Sequence, residues 1–268
     1  MDDIRSHYGE WALVAGAAEG IGAAFSEVLA GKNMNIIMVD FNEQAMKTLA
    51  GQLESSKGIK VVQLVLDLAR SDAWEKILET AEPMDCRLMV YNAAYSKVRP
   101  FLDNSGADID RFVDVNARSM IKLVHGFASR LKDGRTGGIL LMSSLAGLLG
   151  PRYVAPYAAT KAFTLTLAEA LFPEFRELGI RITACCAGTT ATPTYLSSQP
   201  KDHNQRLDVM NPMDVAEYAI ANLGIKPVII PGWKNRLNYF FLTRLMSRKM
   251  AAGTVSKYML RLYPGLSK

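Results

Sequence analysis

Cysteine and histidine are scarce. Three of each occur in 268 residues, with no C-x-x-C pair and no clustered ligand set. This argues against a metal site or a disulfide framework and points to a reduced, cytoplasmic, metal-free setting. Nowhere do about eighteen apolar residues run together, so no membrane-spanning helix is expected. The first residues, MDDIRSHYGEW, are charged and lead to no small-residue cleavage site, so no secretory signal is expected either. Linkers rich in Pro, Ser or Gly, low-complexity tracts and fixed-period repeats are also missing, which favours one domain over 1–268. Acidic residues are absent from one region. Between 218 and 268 stand nine basic residues and no Asp or Glu, whereas the first 217 residues carry 22 positive and 26 negative charges.

What is present is a regular alternation. The short runs WALVA (11–15), NIIMVD (35–40), VVQLVLD (61–67), RLMVYN (87–92), GILLMSS (138–144), IRITACC (180–186) and PVIIP (227–231) read as strands. They are apolar throughout, as buried parallel strands are. Stretches 20–31, 43–55, 71–82, 108–131, 153–178 and 212–224 have apolar spacings of three and four and read as helices, with Asn42 and Ser71 as candidate N-caps. The expectation is an α/β, Rossmann-type doubly wound parallel sheet of about seven strands with helices on both faces. Ligands bind such sheets beyond the carboxyl ends of the strands.

The first strand is followed by AGAAEGIGAAF, which holds Gly16, Gly20 and Gly22 with Glu19 and Ile21 between them. Glycines in a strand-to-helix turn allow close approach of a pyrophosphate to the amides of a helix N-terminus. An ordinary glycine turn is the competing reading. The second strand ends in Asp40, whose carboxylate can accept from both adenosine ribose hydroxyls and repels a 2′-phosphate. Phe41 follows where a basic residue would serve NADP, and Glu19 adds a second negative charge, so NAD is favoured over NADP. A helix cap is the alternative for Asp40. Asp67 and Leu68, after the third strand, are placed for adenine, with a helix cap again competing.

Tyr157 and Lys161 lie four residues apart, a spacing that chance readily supplies. Their company is more specific. The fourth strand ends in Asn92-Ala93-Ala94, the helix pattern from 108 carries Asn116, and the fifth strand ends in Ser143-Ser144. The ordered set Gly16-x-x-x-Gly20-x-Gly22, Asn92-Ala93, Asn116, Ser144, Tyr157-x-x-x-Lys161, Gly188 and Thr192 resembles the short-chain dehydrogenase/reductase family from Trp11 to about Pro231. The resemblance implies hydride transfer with Tyr157 as general acid/base. It also implies that Lys161 lowers the tyrosine pKa and bonds the nicotinamide ribose, that Ser144 holds the substrate oxygen, and that Asn116 holds a relay water. Asn92, Ala93, Ala94, Gly188, Thr190 and Thr192 would flank the nicotinamide, and a homodimer or homotetramer is implied. Ala15, Tyr91, Ala94 and the Ala187-Gly188 pair depart from the family pattern without removing a proton-transfer group.

Residues 187–211 occupy the place of the family's substrate lid, with Tyr195 and Leu196 facing a greasy substrate or simply packing the lid. This segment and HYGEWALVAGAAEGIG are similar to the microbial hydroxysteroid (bile-acid) dehydrogenase branch of the 7β-acting type. The basic region yields a C-terminal helical extension over 233–268, with apolar positions 237, 241, 245 and 246. It can pack that side on the core or a subunit, rest on an anionic membrane surface, or attract an anionic substrate. No recognition motif supports nucleic-acid binding. The reading is a NAD-dependent oxidoreductase acting on a hydrophobic secondary alcohol or ketone. Rival readings are a reductase of 3-oxoacyl thioesters or small polar ketones and a non-catalytic nucleotide-sensing regulator.

Overall fold

The computed structural model describes residues 4–131, 134–198 and 209–266. Seven strands, β1 (Trp11–Ala15), β2 (Asn35–Asp40), β3 (Val61–Val65), β4 (Cys86–Tyr91), β5 (Gly137–Ser144), β6 (Ile180–Ala187) and β7 (Val228–Ile229), form one sheet in the order β3-β2-β1-β4-β5-β6-β7. Every pairing is parallel.

The continuous apolar runs have a simple cause. Successive side chains point to opposite faces of a strand, and both faces are covered. Ala12, Val14, Ile36, Met38, Leu88, Val90, Leu140 and Met142 enter one core cluster; Leu13, Ala15, Ile37, Val39, Met89, Tyr91, Ile139 and Leu141 enter the other. Helices Gly20–Ala30, Glu43–Lys57 and Pro212–Ala221 add Phe25, Leu49 and Val215 to the first cluster. Helices Ala73–Ala81, Ser119–Ser129 and Ala155–Glu177 add Ile77, Leu123 and Leu165 to the second. The same alternation sends the neighbours Cys185 and Cys186 to opposite faces, where both are buried and free.

Strand order reverses at β1, which pairs with β2 on one side and β4 on the other. The turns after β1 and β4 therefore flank the topological switch point, where open α/β sheets bind ligands.

Boundaries differ from the sequence reading in instructive ways. Asn42 caps its helix as expected, its Oδ1 accepting from Ala45 N at 3.2 Å. Ser71 does not: the cap residue of the next helix is Asp72, whose carboxylate pairs instead with Arg70 and Lys76. The stretch read as one helix from 108 starts at Gly106 behind a capping box of Ser105 and Asp108. It widens into a π-turn over Asp114–Arg118 before continuing as Ser119–Ser129.

The extension forms helices Trp233–Phe240 and Arg248–Leu262 joined by a π-turn at Phe241–Leu245. Ala251 and Leu262 of the second helix are buried. Of the apolar positions expected here, Leu237, Phe241 and Leu245 are exposed and Met246 is half-buried, while Asn235, Arg236 and Tyr239 contact the body. Lys268 lies outside the described residues.

The Tyr91 phenol, 2% exposed, donates to the Val115 carbonyl in the π-turn at 2.6 Å. Tyr91→Phe should cost about 1–3 kcal/mol, as loss of a buried hydrogen bond does. It should appear as a lower urea midpoint at unchanged m-value.

Candidate active site

The turn after β1 is built around missing side chains. Gly16 and Gly20 have φ of +76° and +58°, conformations that favour glycine. A Cβ on Gly16 would lie 2.6 Å from the Ala93 backbone, and one on Gly22 would lie 1.7 Å from the Gly16 carbonyl oxygen. The turn is braced from β4: Asn92 Nδ2 donates to Gly16 O at 2.8 Å, and the backbone N–H groups of Asn92 and Ala93 both donate to Ala15 O at 2.9 Å. Helix Gly20–Ala30 begins here, with Ile21 in its first turn, so its first amides face the open end of the turn. A tight glycine cradle against a helix N-terminus fits a dinucleotide pyrophosphate. Thr192, from beyond β6, reaches the same turn; a Cβ on Gly20 would come within 2.8 Å of its methyl group.

Asp40 ends β2 and is not the cap of the following helix, a role taken by Asn42. Its Oδ2 accepts from Ala18 N and its Oδ1 from Asn42 N, each at 3.0 Å. The carboxylate is thereby fixed across the mouth of the glycine turn with further acceptor capacity on each oxygen. Glu19 stands beside it, accepting from Asn42 Nδ2 at 2.9 Å, and Phe41 is exposed. Asp67 is engaged by both Arg111 guanidinium nitrogens and by Ala69 N. Leu68 buries its side chain in the core, so a nucleotide can meet only its backbone.

At the other end, Ser144 closes β5 and Tyr157 and Lys161 share one face of helix Ala155–Glu177. The Ser144 hydroxyl neighbours the Tyr157 phenol and acts to lower its pKa. Lys161 Nζ lies 5.6 Å from the Tyr157 ring centroid and donates to the Met142 carbonyl at 2.7 Å. Only 4% of Lys161 is exposed, and burial pushes its pKa down to about 8. The expected lowering of the Tyr157 pKa by Lys161 does not hold in the protein by itself. Burial is the largest influence and raises it, and the Ser144 hydroxyl opposes that rise. The ammonium's strongest contact is to a carbonyl instead of the phenol.

Asn116 is buried in the π-turn. Its Oδ1 accepts from Tyr95 N at 2.7 Å, and its Nδ2 donates to Tyr95 O and Thr160 Oγ1. The side chain staples the segment following β4 to the helix that carries Tyr157. Ala94 lies exposed between these brackets.

Beyond β6, Thr190 is buried and donates to Gly188 O, while Thr190 and Met210 pair as an isolated parallel bridge. Tyr195 and Leu196 sit on the short helix Pro193–Ser198, with Leu196 exposed. Residues 199–208 of the expected lid lie outside the described residues. Tyr263 neighbours Ser198 and Tyr195, so the C-terminal extension lies against the lid helix.

Several participants escaped the sequence reading. Ser143 Oγ donates to Lys161 O at 2.8 Å, and Thr160 partners Asn116. Asn235 wedges against Gly188, where a Cβ would meet its Nδ2 at 2.5 Å, and it donates to Pro231 O. Asp108 gathers Lys97 Nζ, Tyr95 OH, Ser105 and Arg99, and its hydrogen bonds, above all with Lys97 and then with Tyr95 and Ser105, hold its carboxyl well below the usual range. Ser143 adjoined a named residue and could have been suspected. Asn235 carried no signal, because Gly188 is distant in sequence, whereas Asp108 stands three residues after Ser105 in a capping-box spacing that could have been noticed.

A glycine-cradled turn at the switch point, with a tyrosine, lysine and serine converging on the same sheet edge, defines a Rossmann-type oxidoreductase. Residues 10–203 match the model of the short chain dehydrogenase family, and the chain belongs to that family, whose members use a nicotinamide cofactor. It is 30% identical over 234 residues to a 7beta-hydroxysteroid dehydrogenase of Clostridium sardiniense, covering 87% of this chain and 90% of that protein. A solved structure from a study of 7beta-hydroxysteroid dehydrogenase stereoselectivity superposes with a TM-score of 0.87 at 26% identity, covering 94% of this chain and 99% of that one. A bulky-bulky ketone specific alcohol dehydrogenase from Comamonas testosteroni gives a TM-score of 0.75 at 26% identity, covering 88% and 92%. Among the described residues no group of His, Cys, Asp and Glu could hold a metal ion.

The buried ammonium makes a pH signature. Lys161 titrates near 8 when folded and 10.5 is its ordinary value, so between these the unfolded chain binds the extra proton and unfolding free energy rises with pH. Folded Lys161 is thus destabilising at and below pH 8, and the penalty disappears above 10.5. Lys161→Met should remove that rise, which amounts to roughly 3 kcal/mol at most. Urea midpoints of both proteins across the window measure it.

Proposed function

We propose that the protein is a NAD-preferring dehydrogenase of secondary alcohols, acting on a hydroxysteroid, with Tyr157 as general acid/base. The observation that carries the reading is the convergence of Ser144 and the Tyr157 phenol, with Lys161 Nζ 5.6 Å from the Tyr157 ring centroid. The glycine turn, Asp40, Asn92 and the Gly188–Thr192 segment would hold the cofactor. Bound there, a nicotinamide cofactor accepts hydride from the alcohol carbon or returns it to the ketone. Ser144 fixes the substrate oxygen by a hydrogen bond. In oxidation Tyr157, as phenolate, takes the hydroxyl proton; in reduction its phenol returns that proton to the carbonyl oxygen. Lys161 stabilises the phenolate by its charge. The Asn116 side-chain amide is committed to Tyr95 and Thr160, so its part in a proton relay falls to its main chain.

The steroid assignment rests on the relatives at 26–30% identity and on the apolar lid, where Tyr195 neighbours Tyr258 and Tyr263 of the extension. An acyl thioester is the second reading, because the chain is also 26% identical to a very-long-chain 3-oxoacyl-CoA reductase of Neurospora crassa over 81% of its length. That relative is covered over only 65% of its own length. A panel of steroid, acyl and small polar ketones separates the two. A homo-oligomer is supported by Val113, Ile121 and Phe163, exposed on the helices of one face. A reducing cytoplasm suits three buried, free thiols.

Tyr157→Phe should lower kcat by the ~10²–10⁴-fold typical of lost acid/base catalysis, with NADH binding nearly intact. More than a tenth of wild-type turnover would rule out the assignment.

NAD preference follows from two carboxylates, Asp40 and Glu19, at the mouth of the turn. A 2′-phosphate there meets like charge without a partner, typically several kcal/mol, and each ~1.4 kcal/mol is tenfold. kcat/KM should favour NAD at least about a hundredfold, and Asp40→Ala with Phe41→Arg should erase or reverse that. Equal efficiency in the wild type would refute it.

A further inference from the structure

The first helix of the C-terminal extension turns its apolar residues away from the body. Asn235 abuts Gly188 and Tyr239 packs with the second core cluster. Trp233, Leu237, Phe240, Phe241 and Leu245 are between 46% and 64% exposed. At about 100° per residue, the first four share roughly a third of the helix circumference. The wide turn over Phe241–Leu245 carries Leu245 round toward the same side. A helix that served only the core would have the opposite arrangement.

Charge identifies the occupant. Lys234, Arg236, Arg244, Arg248 and Lys249 flank the row and are exposed, and the whole stretch 218–268 contains no Asp or Glu. Among the described residues, Arg244, Arg248 and Lys249 have no ion-pair partner. A two-fold contact with a second copy would set these cations against their own images, with no carboxylate in the extension to answer them. An anionic lipid surface answers both features, taking apolar side chains at the headgroup boundary and cations at the phosphates. We propose that this face docks the protein on an anionic membrane surface. No helix of the described residues is long and apolar enough to cross a membrane, so the helix lies on the surface. Through Asn235 against Gly188 and Tyr263 on Ser198, the docked face adjoins the lid. The inference stands independently of the substrate.

The test is co-sedimentation of the full-length protein with vesicles of phosphatidylcholine alone or mixed with phosphatidylglycerol. Pelleting is expected with the mixed vesicles at low ionic strength, with loss in high salt and little binding to neutral vesicles. Leu237→Glu, Phe241→Glu and Leu245→Glu together should weaken binding by more than about tenfold, as should Arg244→Glu with Lys249→Glu. Oligomeric mass and the circular dichroism spectrum should be unchanged in both variants. Wild-type protein that stays in the supernatant with anionic vesicles at low salt would overturn the proposal. So would dissociation of an oligomer by the Glu substitutions, which would make the row a subunit contact. Salt and lipid dependence of the wild type decide the matter even if a variant fails to fold.

Discussion

The arrangement rests on the junction between the ends of β1 and β4. Two neighbouring parallel strands stop together, and the chain after each must leave without colliding with the other. Asn92 and Ala93 turn both backbone amides onto the Ala15 carbonyl, and the Asn92 side chain takes the Gly16 carbonyl. With these acceptors satisfied, the glycine turn can lie against β4 so closely that a Cβ on Gly16 would overlap Ala93. Everything that approaches the sheet edge is placed relative to this junction. Asp40 is tied to the turn through Ala18, and Thr192 closes on it from β6. A polar junction of this kind is stable because each buried backbone group has a partner.

The reacting end follows a different logic, in which stability is given up. Lys161 is nearly fully buried beside apolar strands, and its pKa falls to about 8. Its ammonium is held by the Met142 carbonyl, and its backbone by Ser143. Tyr157 is penalised for ionising by the same burial. A site that disfavours both charges separately favours arrangements in which they neutralise each other. Tyrosine and lysine one turn apart have that option, and Ser144 keeps the phenol directed at one spot.

The extension links the edge to the outside of the molecule. The first helix leans on Gly188, Tyr263 at the end of the second neighbours the lid helix, and the apolar row of the first helix and its π-turn faces outward.

Local pattern was enough for the strands and the glycine turn, because apolar runs and tight turns are short-range properties. The Asn42 cap was legible for the same reason. Asn116, Ser144, Tyr157 and Lys161, spread over 116–161, were singled out together only by the resemblance to the family. Ser71 was misread because a competing carboxylate, Asp72, stands next to it and finds two cations. Tertiary structure alone decided that Asn116 spends its side chain on Tyr95 and Thr160 and that Asn235 wedges behind Gly188. It also decided which way the extension faces. Periodicity shows that a helix has an apolar side, whereas the direction of that side depends on which residues the body offers to meet it. Here Asn235 meets Gly188 and Tyr239 packs on the second core cluster, so these two turn inward and Leu237, Phe241 and Leu245 are left outside.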